Sequence, residues 1–576
     1  MSIPKQTVVA GLVQAKFQRE LQSYLDERFV QRLWARDLTL WPAELVEGDP
    51  ALRSQAWLDL PKGLGVFLES VKRNVQAADT EGLFDHAVLS SESVNLCVRA
   101  LMGIPGIALS RKVVVLDSIW PEAIEQNEEQ LDLKRTMFFL ANKQRYGLRD
   151  HCLFLYFLSK MQTIDEARAS RHFVSETESH SYLASVSRGY RFREIVEDPS
   201  TIPVTYFSLA HFSAALTALG VAVSDQILGA VNQMQSACTS TDRQISNPAL
   251  QLAAFLSSAV ADHRGYLAIL TTPSLNGYAR RLKQMVGGSL AQEGPALIPV
   301  MGFEPRDTPY MEGMAAFVLL TYTGDNSREL DETRSRLQSG GIPHVHIELH
   351  QPTDLLTDSF KWEIATILAC ARLKVDPFDE SDNHVSRAFT EEMLDAISGG
   401  QDPLQRSPRI TDQLIQLFAD GMTRQEMSTL SLAEALRTFL RITTPGKHLC
   451  MLIDMPGTEE VYARFSALRS ALSSTLKRPV IMAFGPHAGE HTGYLFRDSL
   501  PYGPCMVFTT DFNLDKRIPG ADYTFGQFHQ ALALSEYDTM VHWQRPVIRL
   551  HLAREFPAAL DQLVHVFRQA LQRFHS

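Results

Sequence analysis

The six cysteines, Cys97, Cys152, Cys238, Cys370, Cys450 and Cys505, are nowhere close to one another in the sequence. With no CxxC and no finger spacing, a zinc knuckle and a paired redox motif are excluded. Most lie in apolar runs such as LCVRAL and ILACARL, which read as buried, reduced thiols of a cytoplasmic protein. No apolar run approaches the roughly 20 residues of a membrane span, and the opening MSIPKQTVVAGLVQAKF lacks the long apolar stretch of a signal peptide. Positive charge is also short: 55 Lys and Arg against 66 Asp and Glu leave a net −11. A general nucleic-acid binder needs a basic face to displace counterions, so that partner is excluded. For the same reason any phosphate must be held by a local pocket. No Walker loop and no GxGxxG follows a strand-like run, and the expectation is no cofactor.

What is present is ordinary for a globular chain: 576 residues, 45% hydrophobic and 21% charged, enough for two or three domains. Residues 6–35 read as helical from the spacing of Leu12, Phe17, Leu21, Leu25 and Phe29, and a polar linker follows near Pro50. From about residue 84, short apolar strands (HAVLS, KVVVLDS, RTMFFLAN) alternate with longer amphipathic helices. A helical stretch over 206–260 leads to a second series, YLAILTTP, AAFVLLTYTG and PHVHIEL, with KWEIATILACARL as a strongly apolar helix. HLCMLIDM, PVIMAFG, CMVFTT and PVIRLHL add further strands beyond residue 400. This β-α-β order predicts an α/β fold of parallel sheets covered on both faces.

Five segments, in order, resemble the phosphoglucose isomerases of bacterial transaldolase–isomerase fusions. They are LWARDLTLW, VVVLDSIWP, PSLNGYARRLKQMVGGSLAQEGPALIPV, DSFKWEIATILACARLKVDPFDESD and IPGADYTFGQFHQALAL. The resemblance runs from about residue 30 onward. It implies two sugar-isomerase (SIS) domains of flavodoxin type, a homodimer, and interconversion of glucose 6-phosphate and fructose 6-phosphate. On that frame the chain divides into a helical segment (1–80), a first SIS-like domain with a helical insertion (81–300), a second (301–440) and a C-terminal α/β extension completing the cleft (441–576).

The resemblance also implies site positions. The phosphate loop after the first strand falls on LSSES, giving Ser91 and Ser93 without the family's glycines. The loop after the third strand falls on Asn142 to Gly147. There Lys143 matches the family lysine, Gln144 replaces a serine, Arg145-Tyr146 replaces a tight Gly-Gly, and Gly147 closes the loop. The general base of the family falls on Gly288, which cannot move a proton. Its arginine falls on Thr205, and its C-terminal lysine on Arg497, which keeps the charge but is a poor acid. Asp358 stands at a family glutamate and reads as a cap before the KWEIAT helix.

The expectation is therefore an isomerase-like protein with lost or severely reduced activity. It would serve as a sugar-phosphate sensor or as a subunit supporting an enzyme of sugar-phosphate metabolism. Two alternatives are a working isomerase with a relocated set (Glu92, Glu293, Arg497) and a structural partner that binds no sugar phosphate. Other signals read as structural. His344 and His346 share a strand face, His487, Glu490 and His491 have HxxEH spacing but follow Pro486 in a loop, and Arg280, Arg281 and Lys283 read as a solvated helix face. No metal is expected.

Overall fold

The computed structural model describes the chain apart from residues 1–2, 91, 108–110, 142–146, 198–207, 243–246, 292–296, 304–307, 379–383, 424–426, 428–430, 443–447, 486–502, 555, 573 and 575–576. Its contacts divide it into two units. One comprises Met1–Asp117, Asn127–Met301 and Met314–Asp379, and the other Ser118–Gln126, Gly302–Gly313 and Glu380–Ser576.

Among the described residues the first unit carries ten strands: β1 (Lys5–Val9), β2 (Asp85–Val88), β3 (Val113–Val115), β4 (Thr136–Ala141), β5 (Phe173–Thr177), β6 (Glu194–Glu197), β7 (Tyr266–Thr271), β8 (Ile298–Met301), β9 (Ala315–Tyr322) and β10 (His344–Leu349). They form two sheets. The first, in the order β3-β2-β4-β5-β6, is parallel throughout. The second, β1-β10-β9-β7-β8, is parallel except for β1, which pairs antiparallel on its edge. The second unit carries β11 (Ile410–Asp412), β12 (Ile415–Ala419), β13 (Leu449–Asp454), β14 (Val480–Phe484), β15 (Cys505–Thr510) and β16 (Val547–Leu552). They order as β11-β12-β16-β15-β13-β14, with an antiparallel hairpin joined to four parallel strands.

Counted within each sheet, the parallel strands run 2-1-3-4 in the second and third sheets and 2-1-3-4-5 in the first. This is the doubly wound, flavodoxin-type order, and the fold is α/β as expected. Parallel strands are covered on both faces, which is why TMFFLA, YLAILT, AAFVLLTY and LCMLID are almost wholly buried. Helix Pro352–Leu373 of the first unit is buried from Thr353 to Ala371 and starts in a box made by Gln351 and Asp354. Among the described residues no helix is long and apolar enough to cross a membrane.

Two local readings are corrected. The helix expected over 6–35 begins only at Gln14, because Lys5–Val9 is strand β1. Thr7, Val8 and Val9 are β-branched and suit a pleated edge. Gly11 then turns the chain at φ +51°, bringing Leu12 N–H to Gly341 O at 2.6 Å. The linker expected near Pro50 is a short helix, Pro50–Ser54, capped by Asp49, with the proline where a missing N–H costs nothing.

Candidate functional site

In the first sheet β2 and β4 are adjacent, yet β2 leads to β3 on one side and β4 to β5 on the other. Open α/β sheets bind small ligands outside the carboxyl ends of strands at such a reversal. Ser90 follows β2 at this point. Its hydroxyl accepts the Ala141 N–H at 2.7 Å, stitching the ends of β2 and β4 together. Its carbonyl accepts from Asn95 Nδ2 at 2.8 Å and from Arg149 Nη2 at 3.2 Å. Arg149 is itself buried against Asp150, Nε to Oδ1 2.8 Å. Ser93 is buried in the first turn of the Glu92–Met102 helix, and Gly147 is the extended N-cap of the Leu148–Ile164 helix.

Helix Asn276–Leu290 packs directly on helix Glu92–Met102. A Cβ on Gly277 would lie 2.9 Å from the backbone of Ala100, so glycine is what permits the approach. Four residues along, the Arg281 guanidinium lies beside the Cys97 thiol, which burial nevertheless pushes up to about 12. Positions 100 and 97 thus meet 277 and 281, so the helices run antiparallel. Ser93 and Gly288 consequently fall at the same end of the pair. A Cβ at Gly288 would meet nothing within 4 Å among the described residues.

Beside the Tyr278–Arg281 half of this helix, away from Gly288, lies a buried polar cluster. Glu363 Oε1 accepts from Ser208 N–H at 2.7 Å and from Ser208 Oγ at 2.6 Å. Burial raises the Glu363 carboxyl to about 7, against the lowering effect of Ser208 and Arg281. His211 Nδ1 sits 3.2 Å from Glu176 Oε1 at the carboxyl end of β5. Tyr278 donates to Asp358 Oδ2 at 2.7 Å, and Lys361 pairs with the other Asp358 oxygen. Two expectations fail here. Arg281 and Lys283 are 1% and 7% exposed, so only Arg280 of that cluster is solvated. Asp358 is fully buried in mid-helix rather than capping it. Both follow from tertiary packing, since helix Asn276–Leu290 is covered by helices Glu92–Met102 and Pro352–Leu373 and by strand β8, which a linear charge pattern does not reveal.

Of the sequence-predicted site, Ser93, Gly147 and Gly288 are described. Ser91, Lys143, Gln144, Arg145, Thr205 and Arg497 lie outside the described residues, as do Glu293, His487, Glu490 and His491. Sequence reasoning missed Asn95, Arg149, Glu176, His211 and Glu363. Glu363 lies inside the quoted KWEIAT block and Arg149 two residues after Gly147, so both were within reach. His346 accepts from Arg334 at 2.9 Å and contacts Thr321 Oγ1 at 3.0 Å, which commits both ring nitrogens. Among the described residues no three His, Cys, Asp or Glu converge as metal ligands.

No family model matches this sequence, and no curated protein matches it. Among solved structures, it is similar to a hypothetical protein from Thermus thermophilus, with a TM-score of 0.56 and 16% identity over 68% of this chain and 100% of that one. It is also similar to a glucose-6-phosphate isomerase from Chlamydia trachomatis, with a TM-score of 0.45 and 11% identity over 58% and 73% of the two chains. The C-terminal domain of a glucosamine-fructose-6-phosphate aminotransferase from Francisella tularensis matches with a TM-score of 0.36 and 10% identity over 57% and 98%. The first of these likenesses is one of fold: parallel α/β sheets with covering helices.

Proposed function

We propose that the chain is a phosphoglucose isomerase-like protein whose isomerase activity is lost or severely reduced. In this reading it holds a sugar phosphate at the carboxyl edge of its first sheet, as a cytoplasmic homodimer. Its role is that of a sensor, or of a subunit supporting an enzyme of sugar-phosphate metabolism. The observation that carries the loss is Gly288: the position aligned with the base has no side chain, and the space a side chain would enter is open among the described residues. A missing general base costs about a hundred- to ten-thousand-fold in rate. The binding half rests on Ser90, Ser93 and Gly147 gathering at the ends of β2 and β4, beside the buried cation Arg149.

The test is direct. The purified protein is assayed for fructose 6-phosphate formation from glucose 6-phosphate, and turnover well below about one per second is expected. Calorimetry with fructose 6-phosphate and 6-phosphogluconate should show binding at millimolar ligand or better. Gly288→Glu, which the open space accommodates, should raise turnover. Ordinary turnover by the unmodified protein would move the assignment to a relocated catalytic set. No heat with either ligand would leave a structural partner.

A further inference from the structure

The four parallel strands of the third sheet repeat the order of the first four in the first sheet, so the third sheet has a reversal of its own between β13 and β15. β13 ends there on Asp454. In register, Asp454 pairs with Thr509 of β15, and Thr509 with His551 of β16. Paired residues on adjacent strands point to the same face, about 4.8 Å apart. Asp454, Thr509 and His551 therefore form one row across the carboxyl edge. Thr509 Oγ1 lies 3.0 Å from His551 Nδ1 and accepts from Arg549 Nη1 at 3.2 Å. His551 Nε2 lies 3.2 Å from Asp511 Oδ1. The hydrogen bonds run consistently from the threonine hydroxyl to the imidazole and from the imidazole to the carboxylate.

Asp454 alone in this row is unsatisfied. It is 1% exposed, and neither carboxylate oxygen has a hydrogen-bond partner among the described residues. Burial pushes its carboxyl well above the usual range. Buried polar groups are almost always paired, and one left unpaired costs stability. Natural chains keep such a cost where it serves a function.

We propose that this edge is a second small-molecule site, anchored on Asp454, for a neutral polyhydroxy ligand such as an unphosphorylated sugar. Ligand hydroxyls supply the hydrogen bonds that Asp454 lacks, with Thr509 and His551 beside them in the row. A phosphate would face the carboxyl group of Asp454 in this row and that of Asp511 beside it. A cation would face the guanidinium of Arg549. The site lies in the second unit and does not depend on the reading given for the first sheet.

The test is thermal unfolding of the full chain with D-glucose, D-fructose and D-glucitol, each at millimolar concentration, and with fructose 6-phosphate for comparison. At least one neutral probe is expected to raise the unfolding temperature. Asp454→Leu should raise the unfolding temperature without ligand, since it removes an unpaired buried carboxyl, and should abolish the shift given by the probe. Asp454→Asn, nearly isosteric, should weaken the apparent affinity for that probe at least tenfold, and it decides the matter should the leucine variant fail to fold. The proposal is overturned if no neutral probe shifts unfolding, if the shift survives in both variants, or if Asp454→Leu folds but is less stable than the unmodified protein.

Discussion

Acid should weaken the first sheet through His86, and the size of the effect can be worked out. His86 lies in β2, 1% exposed, with its ring edge-on to Phe139 at 4.9 Å and its Nε2 without a hydrogen-bond partner among the described residues. Burial pulls its pKa from 6.5 down to about 3. Nearby Arg111 pulls the same way and Asp79 opposes it. Because the folded value is depressed, the contribution is complete above pH 6.5 and is lost as pH falls toward 3. At about 1.4 kcal/mol for each tenfold change, that depression sets an acid limit on the order of 5 kcal/mol, with about 2 kcal/mol gone by pH 5. Glu363 titrates in an overlapping window with the opposite sign. Its folded value is raised from 4.5 to about 7, so its contribution is complete below 4.5 and is lost as pH rises through 7. The raw pH profile therefore mixes the two, and His86→Phe separates them. Hydrogen exchange of the β2 and β4 amides, measured in both proteins at pH 7.5 and pH 5, gives the local opening free energy. Between the two pH values the difference between the proteins should move by about 2 kcal/mol in favour of the phenylalanine variant. A difference that stays constant to within about 0.5 kcal/mol, less than half a pKa unit, would refute the burial argument.

Two further outcomes follow from the helix packing. On helix Asn276–Leu290, Gly277→Ala should destabilise by about 1–3 kcal/mol, because its Cβ would overlap the Ala100 backbone. Gly288→Ala on the same helix should stabilise by about 0.5–1 kcal/mol through helix propensity alone, and urea unfolding reads both. Lys361→Met should cost about 3–5 kcal/mol by stranding Asp358 in the interior. The double variant with Asp358→Leu should recover part of that loss, and a double-mutant cycle measures how much.

The strands were legible because parallel strands are buried on both faces and read as unbroken apolar runs. YLAILT and AAFVLLTY are β7 and β9 almost residue for residue. That the three sheets share the 2-1-3-4 order was not legible, since the order is set by crossover packing and leaves no sequence repeat. β1 is hidden in the sequence because five residues of strand cannot outweigh the long helical period that follows at Gln14–Asp26. Of the expected site positions, Gly288 and Gly147 are named only by setting the chain beside the isomerase motifs. The site was illegible where it is charge. Arg281, Lys283 and Asp358 look like surface residues in one dimension, and only the enclosing helices make them interior.

The position of β1 bears on how the chain is made. Lys5 of β1 bonds to Glu348 of β10, 343 residues later, and Leu12 bonds to the backbone of Gly341. At translation rates of about 5–20 residues per second, β1 waits roughly 20 to 70 seconds on the ribosome before its partner edge exists. During that time a β-branched strand travels unpaired while the sheet it will join is still being synthesised. Ribosome-bound chaperones that shield short apolar segments would find their substrate in these few residues, and closure of the second sheet is necessarily a late event in synthesis.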